Sequence, residues 1–232
     1  MIMNKHIIVH DLGLVNYQDA LDYQLRLFNQ IIKTKIQNRK NNTEIETENH
    51  LIFVEHPNVY TLGKSGDINN LLLNKNELDD KKIQFFNTNR GGDITCHGPG
   101  QIVCYPILDL DNFFTDIHKY LRFLEEIIIR TLNDFGIASE RSQNETGVWI
   151  DPDLAFSRKI CAMGVKASRW VTMQAVRNDV YCEKKLMARD YELMDTDRFR
   201  LMFTNFRHLD NKPHGLRLTY FGEQLMTRHF TR

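Results

Sequence analysis

Residues 90–101, with the sequence RGGDITCHGPGQ, hold the densest group of side chains that could do chemistry. The segment contains four glycines, a proline, a guanidinium, a hydroxyl, an imidazole and an amide. Glycine permits positive φ angles and lets the backbone approach a ligand closely, at a cost in conformational entropy. A plain turn needs only about two or three such residues. We therefore favour a loop that wraps a bound small molecule; the alternative is a long structural turn with Arg90 in solvent.

Lys159, at the start of the apolar run KICAMGV, is the second candidate. A buried ammonium beside a thiol favours the thiolate, which is the nucleophilic form of cysteine. Cys161 lies two residues further on and would share the face of Lys159 on a regular strand. The alternative is a lysine whose ammonium simply reaches out of an apolar strand into solvent.

The other chemical motifs mainly argue against disulfide bonds, a metal site and nucleotide hydrolysis. The four cysteines form no CxxC pair, which predicts free thiols in a reducing cytoplasm; they are Cys96, Cys104, Cys161 and Cys182. Cys96 and His97 are neighbours that a strand would direct to opposite faces, so we expect no metal site. Residues 63–65 (GKS) resemble the end of a phosphate-binding loop, but Asn58 stands where the first glycine is required, which argues against nucleotide hydrolysis.

Composition sets the broad class of the protein. The chain has 232 residues, 30 basic and 30 acidic side chains, and 42% hydrophobic residues. This balance is typical of a globular protein and does not favour a nucleic-acid partner. The longest apolar stretches, such as residues 103–108, are far shorter than the ~18–20 residues of a membrane span. We expect no membrane segment and no signal peptide.

The elements that must position these residues follow from hydrophobic spacing. The spacing predicts strands over 7–9, 50–55, 102–110, 146–151 and 159–165, and helices over 17–36 and 113–136. Pro106 within the third strand indicates a sheet edge or a bulge. Strands and helices do not alternate strictly, so the pattern favours an α+β domain with a mainly antiparallel sheet packed against helices.

Four blocks of sequence together resemble one known family. They are HPNVYTLGKSGD (56–67), RGGDITCHGPGQIVCYPILDL (90–110), TGVWID (146–151) and KICAMGVKASRWVTM (159–173). In this order they resemble the octanoyltransferases of lipoate biosynthesis, also called lipoyl(octanoyl) transferases or lipoate-protein ligase B. The resemblance runs from about residue 12 to Met173 and implies a biotin/lipoate ligase-like α+β fold. It also implies a catalytic domain over 1–173, followed by a divergent segment over 174–232.

The resemblance further implies a reaction and a site. An octanoyl group would pass from acyl carrier protein, through a cysteine thioester, to a lysine of lipoyl domains of 2-oxo acid dehydrogenases and of the glycine cleavage H protein. No cofactor, nucleic acid or membrane is implied. Lys159 would lower the pKa of the thiol. The implied substrate-binding residues are Arg90, Gly91, Gly92, Asp93, Ile94, Thr95, Cys96, His97, Ala162, Met163 and Gly164.

The family's acyl-carrying cysteine, which stands in a Pro-Cys-Gly motif, has no counterpart after Met173. Cys182, within Tyr181-Cys182-Glu183, is the remaining downstream thiol. Three hypotheses stay open: an octanoyltransferase that uses Cys182, a homologue that binds octanoyl groups without catalysis, and a carboxyl end altered by a change of reading frame. A lipoate or biotin ligase, which would need ATP, fits the glycine-rich block less well.

Overall fold

The computed structural model describes residues 3–134, 136–143, 145–152, 154, 156–173 and, for their backbone, 176–178. Short 3₁₀ turns lie at Ile68–Asn70 and Leu110–Asn112. Within the described residues, the elements in chain order are β1 (Ile7–Leu14), α1 (Tyr17–Asn41), β2 (Asn49–Glu55), β3 (Val59–Leu62), α2 (Lys75–Asp80), β4 (Gln84–Asn87), β5 (Ile94–His97), β6 (Val103–Ile107), α3 (Ile117–Asp134), β7 (Glu140–Arg141), β8 (Val148–Ile150), β9 (Arg158–Met163), β10 (Lys166–Ser168), β11 (Val171–Met173) and β12 (Val176–Asn178).

The strands form one large sheet, one small sheet and one hairpin. In the part of the chain that the structure describes, the large sheet has seven strands in the order β1-β2-β6-β12-β9-β8-β7, of which only the β1–β2 pair is parallel. The small sheet has the order β4-β3-β5, and β10 pairs with β11. The predicted α+β class with a mainly antiparallel sheet is confirmed.

The two long helices cover opposite faces of β6. On one face, Val103, Tyr105 and Ile107 pack in a cluster with Phe28 and Ile31 of α1. On the other face, a second cluster joins residues of α3, β8 and β9 with the segment that follows β6: Leu108, Leu110, Tyr120, Leu124, Leu132, Val148, Ile160 and Cys161. Neighbouring residues of a strand point to opposite faces, so one strand can serve both cores.

Local capping explains where the predicted helices differ from the observed ones. The predicted helix over 113–136 begins later, at Ile117, because the Asp116 carboxylate accepts the backbone N–H of Lys119 at 2.9 Å and so caps the first turn. It ends before Gly136, whose φ of +74° is left-handed, as predicted from that glycine. Helix α1 continues beyond the predicted residue 36 and ends at Asn41, followed by Asn42 with φ of +52°.

The expectation that Pro106 marks a sheet edge or a bulge is wrong. Strand β6 lies inside the large sheet, and its pairing with β2 is regular through Pro106. On its other side, β12 pairs only with Val103 and Cys104. Beyond Cys104, β11 replaces β12 as the neighbour of this strand, since the Thr172 N–H donates to the Leu108 carbonyl at 2.8 Å. Proline, which lacks an N–H, therefore occupies the position where the neighbouring strand changes.

Strand β12 lies three residues beyond the predicted domain boundary at Met173 and occupies the middle of the large sheet, between β6 and β9. The division into 1–173 and 174–232 stays a prediction. Among the described residues, no helix is long and apolar enough to cross a membrane.

Candidate functional site

A cavity of about 220 Å³ lies between the first half of α1, the loop before β5, and the end of β9. Eleven of the twelve predicted site residues in the described part of the chain line it: Arg90, Gly91, Gly92, Asp93, Ile94, Thr95, His97, Lys159, Ala162, Met163 and Gly164. The backbones of the two predicted segments approach closely, since a Cβ added to Gly164 would lie 4.0 Å from the Gly91 carbonyl oxygen. The structure therefore brings the glycine-rich loop and the β9 segment together around one space.

The Arg90 guanidinium ties the glycine-rich loop to the small sheet. Its Nη2 donates to the carbonyl oxygen of Thr61 at 2.6 Å and to Thr61 Oγ1 at 2.9 Å, and its Nη1 donates to the Gly91 carbonyl at 3.0 Å. Arg90 thus lines the cavity while it holds the loop to β3. The alternative, a long turn with Arg90 merely in solvent, does not account for these hydrogen bonds.

Asp93 fixes the other end of the loop. Its carboxylate accepts the backbone N–H of Asp67 at 3.2 Å and the side-chain amide of Asn70. The preceding residues add backbone contacts, because Gly63 N–H donates to the Asp93 carbonyl at 3.3 Å and Lys64 N–H donates to the Arg90 carbonyl at 2.9 Å. Residues 63–70 therefore brace the glycine-rich loop from outside.

Lys159 directs its ammonium to the rim of the cavity. Nζ donates to Glu145 Oε2 at 2.7 Å and lies 4.5 Å from the centre of the Trp149 ring. Its side chain is 29% exposed. An ion pair and a cation–π contact together hold the ammonium in one place.

The expectation that Lys159 and Cys161 share a strand face is wrong. The pairing of β8 with β9 shifts by one residue, from Val148↔Cys161 to Trp149↔Lys159, which leaves Ile160 as an extra residue on β9. A bulge of this kind re-aims a side chain. Ile160 and Cys161 both enter the core, whereas Lys159 faces the cavity.

None of the three described cysteines lines the cavity. Cys96, predicted as a substrate-binding residue, is the one member of residues 90–97 that does not line the cavity. Burial raises the pKa of the Cys104 thiol far above its usual range, which disfavours the nucleophilic thiolate. Cys182 lies outside the described residues.

His97 and Tyr105 contribute polar side chains to the cavity lining, and His56 is hydrogen-bonded to Tyr105. His97 Nδ1 lies 2.6 Å from Gln101 Oε1, which accepts its proton. His56 Nδ1 donates to the Val15 carbonyl at 2.8 Å, so His56 Nε2 accepts the Tyr105 hydroxyl proton at 2.7 Å. Burial lowers the pKa of His56 and raises the pKa of Tyr105, which favours neutral forms of both.

Sequence reasoning missed five lining residues: Tyr17, Leu21, Gln24, Tyr105 and Thr146. Tyr17, Leu21 and Gln24 recur at helical spacing on one face of α1. A buried polar residue on an apolar helix face, as Gln24 is, was the available signal.

A larger cavity of about 870 Å³ lies at the other end of α1 and contains none of the predicted site residues. Lys35 there donates to Asp109, and to Asp111 Oδ2 at 2.7 Å. Within the described part of the chain, no group of three or more His, Cys, Asp or Glu side chains could hold a metal ion.

Comparisons with a family model and with individual proteins point to the same family. Residues 16–189 match the lipoyl protein ligase A/B catalytic domain. The chain is 62% identical over 171 residues to an octanoyltransferase of Christiangramia forsetii, covering 74% of this chain and 73% of that protein. It is 61% identical, over 74% of each chain, to an octanoyltransferase of Flavobacterium johnsoniae.

Solved structures show the same fold at low sequence identity. Lipoate-protein ligase A bound with ATP superposes with a TM-score of 0.60 at 14% identity, over 94% of this chain and 92% of that one. A bipartite lipoate protein ligase of Thermoplasma acidophilum, studied with its E2 lipoyl domain, gives a TM-score of 0.53 at 12% identity, over 95% and 81%.

Proposed function

The chain belongs to the lipoyl protein ligase A/B catalytic domain family, and from that premise we propose that it transfers an octanoyl group from acyl carrier protein to a lysine amine of lipoyl domains. Its octanoyltransferase relatives make it an acyltransferase. We propose the lipoyl domains of 2-oxo acid dehydrogenases and of the glycine cleavage H protein as acceptors, and the cytoplasm as the place of action.

One observation carries this proposal: the glycine-rich loop, Lys159 and residues 162–164 all line the same small cavity. Its volume of about 220 Å³ is below the roughly 300–1,000 Å³ of pockets for drug-sized ligands. A short acyl chain suits that space better than a nucleotide does. Leu21, Ile94, Ala162 and Met163 supply apolar lining for the chain.

The proposed chemistry proceeds in two acyl transfers. A cysteine thiolate attacks the thioester carbonyl of the donor and forms the enzyme thioester; the carrier's C–S bond breaks, and the carrier sulfur takes up the proton that the cysteine thiol had released to solvent. The neutral acceptor amine then attacks the enzyme thioester and forms the amide; the enzyme's C–S bond breaks, the cysteine leaves as a thiolate, and the amine's proton passes to solvent. The Lys159 ammonium would favour the thiolate in each cycle. Backbone amides of the glycine-rich loop would stabilise the oxyanion.

We propose Cys182 as the nucleophile. The described thiols support this choice by their positions, since Cys104 and Cys161 pack in or against the core cluster below α3 and none of the three described cysteines lines the cavity.

The test is an acyl-enzyme experiment on the full chain. Incubation with octanoyl acyl carrier protein should add one octanoyl mass, as measured by intact mass spectrometry. Cys182→Ser should abolish the adduct, whereas Cys96→Ser, at a half-exposed cysteine outside the cavity, should keep it.

A matched lysine pair tests the second role. Lys159→Met should slow thioester formation by about 100-fold or more, whereas Lys166→Met, on the β10–β11 hairpin, should not. Absence of an adduct together with saturable octanoyl binding would contradict the transferase and leave an acyl-binding homologue.

A further inference from the structure

A buried carboxylate that does not line the cavity is bonded to the loop that contacts Lys159. Glu125 of α3 is 0% exposed, and its Oε1 accepts the backbone N–H of Gly147 at 3.0 Å. Its Oε2 accepts protons from Arg122 Nη1 at 2.8 Å and Arg141 Nε at 3.1 Å. A buried carboxylate is costly unless it is paired in this way. The two arginines thus balance the negative charge at Oε2, while Oε1 accepts the backbone N–H of Gly147.

Gly147 is held tightly between this carboxylate and β9. Its φ of +125° is a conformation that other residues rarely adopt, and a Cβ added there would lie 2.5 Å from the Cys161 carbonyl oxygen. The same Cβ would lie 3.6 Å from Cδ of Lys159. The backbone at Gly147 therefore packs directly against the bulged part of β9.

The residues next to Gly147 make the contacts that hold Lys159. Glu145 pairs with Nζ, Thr146 lines the cavity, and Trp149 of β8 lies under the ammonium. Glu145 is itself 56% exposed, so its position depends on the backbone of the loop rather than on packing of its side chain.

We propose that Glu125 is a positioning residue for Lys159. By fixing the Gly147 amide it sets the course of residues 145–147, and through Glu145 and Trp149 it sets the place of the ammonium. The catalytic use of Lys159 rests on the proposed function, whereas the placement of its ammonium can be tested independently of that function.

The experiment measures the environment of Lys159 by trace acetylation of the full chain with acetic anhydride, followed by peptide mass spectrometry. Exposed Lys33 serves as the internal reference. An ammonium that is ion-paired and stacked on a ring is poorly accessible to the reagent. In Glu125→Gln the labelling rate of Lys159 should rise by about three-fold or more.

The matched control is Glu126→Gln. Glu126 is the next residue of α3 and accepts protons from the same Arg141 at 2.7 Å, and from Arg130 at 2.7 Å. No bond joins it to Gly147 within the described residues. Its variant should leave Lys159 labelling unchanged. Equal labelling in folded wild-type protein and Glu125→Gln would overturn the proposal.

Two further measurements test the proposal even if the Glu125→Gln variant does not fold. Glu145→Gln, at an exposed position, should raise Lys159 labelling as well, and no rise would overturn the proposal. In the wild-type protein the Gly147 amide should exchange its hydrogen slowly, over hours. Exchange as fast as in an open loop would also overturn it.

Kinetics separate this proposal from the proposed function. If wild-type protein transfers octanoyl groups, Glu125→Gln should lower kcat by about ten-fold with little change in KM for the donor. If wild-type protein transfers none, the proposed function fails, and the labelling results still decide the role of Glu125.

Discussion

At the scale of single residues, Gly63 shows how a site can depend on a residue outside its lining. A Cβ at Gly63 would lie 2.1 Å from the Gly92 carbonyl oxygen, closer than any real contact. Gly91, by contrast, lies in the glycine-rich loop itself, and a Cβ there would meet nothing within 4 Å. The absence of a side chain is therefore required where residues 63–66 brace the loop, and not at every glycine of the loop.

The substitutions Gly63→Ala and Gly91→Ala test this distinction. Gly63→Ala should displace the loop, lower the free energy of unfolding by about 1–3 kcal/mol and weaken octanoyl binding. Gly91→Ala should leave the free energy of unfolding nearly unchanged. Urea unfolding and ligand titration measure the two effects of Gly63→Ala, and an equal loss of stability in Gly91→Ala would contradict a special role of Gly63.

His56 makes stability depend on pH. Burial lowers its pKa below the ordinary 6.5, because the neutral ring is the form that fits between Val15 and Tyr105. The unfolded chain then binds more protons as pH falls below about 6.5. The contribution of His56 is fully present above that pH and is lost as pH falls from it towards the folded-state pKa.

We therefore expect a lower free energy of urea unfolding at pH 5.5 than at pH 7.5. His56→Gln should reduce this pH dependence, and His118→Gln, at an exposed position on α3, should not. Some dependence should persist in the variant, because burial also lowers the pKa of His10 and His50. An unchanged slope in His56→Gln would refute the assignment.

At the scale of elements, the end of β6 is held by one buried hydroxyl. Thr172 Oγ1 accepts the Leu108 N–H at 3.1 Å and donates to the Pro106 carbonyl at 3.1 Å. These two bonds satisfy the backbone where β11 replaces β12 as the neighbour of β6. The hairpin of β10 and β11 is therefore attached to the large sheet through this side chain as well as through backbone bonds from the Thr172 N–H to Leu108 and from the Leu110 N–H to Trp170.

Thr172→Val keeps the shape of the side chain and removes both bonds. It should lower the free energy of unfolding by about 1–3 kcal/mol, since a buried N–H and a carbonyl lose their partner. Thr34→Val is the control, because Thr34 Oγ1 donates only to the Gln30 carbonyl on the exposed side of α1. Similar losses for the two variants in urea unfolding would show that Thr172 has no special role.

At the scale of the whole molecule, β12 joins two halves of the large sheet. Without it, β1-β2-β6 and β9-β8-β7 would share no strand pairing among the described strands. The cavity is lined from both halves, with Tyr105 on β6 and Lys159 on β9. The geometry of the site therefore depends on a strand that contributes no described side chain to it.

Proline substitution tests this dependence. Arg177 pairs with Val103 on one side and with Ala162 on the other. Arg177→Pro should cost at least about 2 kcal/mol, because a central strand cannot spare an N–H. Glu140→Pro, in the edge strand β7, should cost much less. Equal melting temperatures for both variants would contradict a central position of β12.

Much of the fold and of the site follows from local sequence, and the remainder depends on tertiary packing. The helical spacing of Leu21, Phe28 and Ile31 predicted α1, and the resemblance of residues 90–97 and 162–164 predicted most of the lining. Tyr17 and Gln24 line the cavity only because α1 packs against β6, and no local sequence pattern indicates that packing. The register of β8 against β9 depends on pairing between distant residues, so the separation of Lys159 from Cys161 could not be read from their spacing.

The extra residue at Ile160 also limits how this region can change in length. Deleting one residue between Lys159 and Cys161 would restore an even ladder and turn either the ammonium inwards or the thiol outwards. The connection from β8 to β9 lies outside that segment, and its length can change without this effect. Homologues that keep a lysine at this position should thus vary in the connection and conserve the count of residues that follows it.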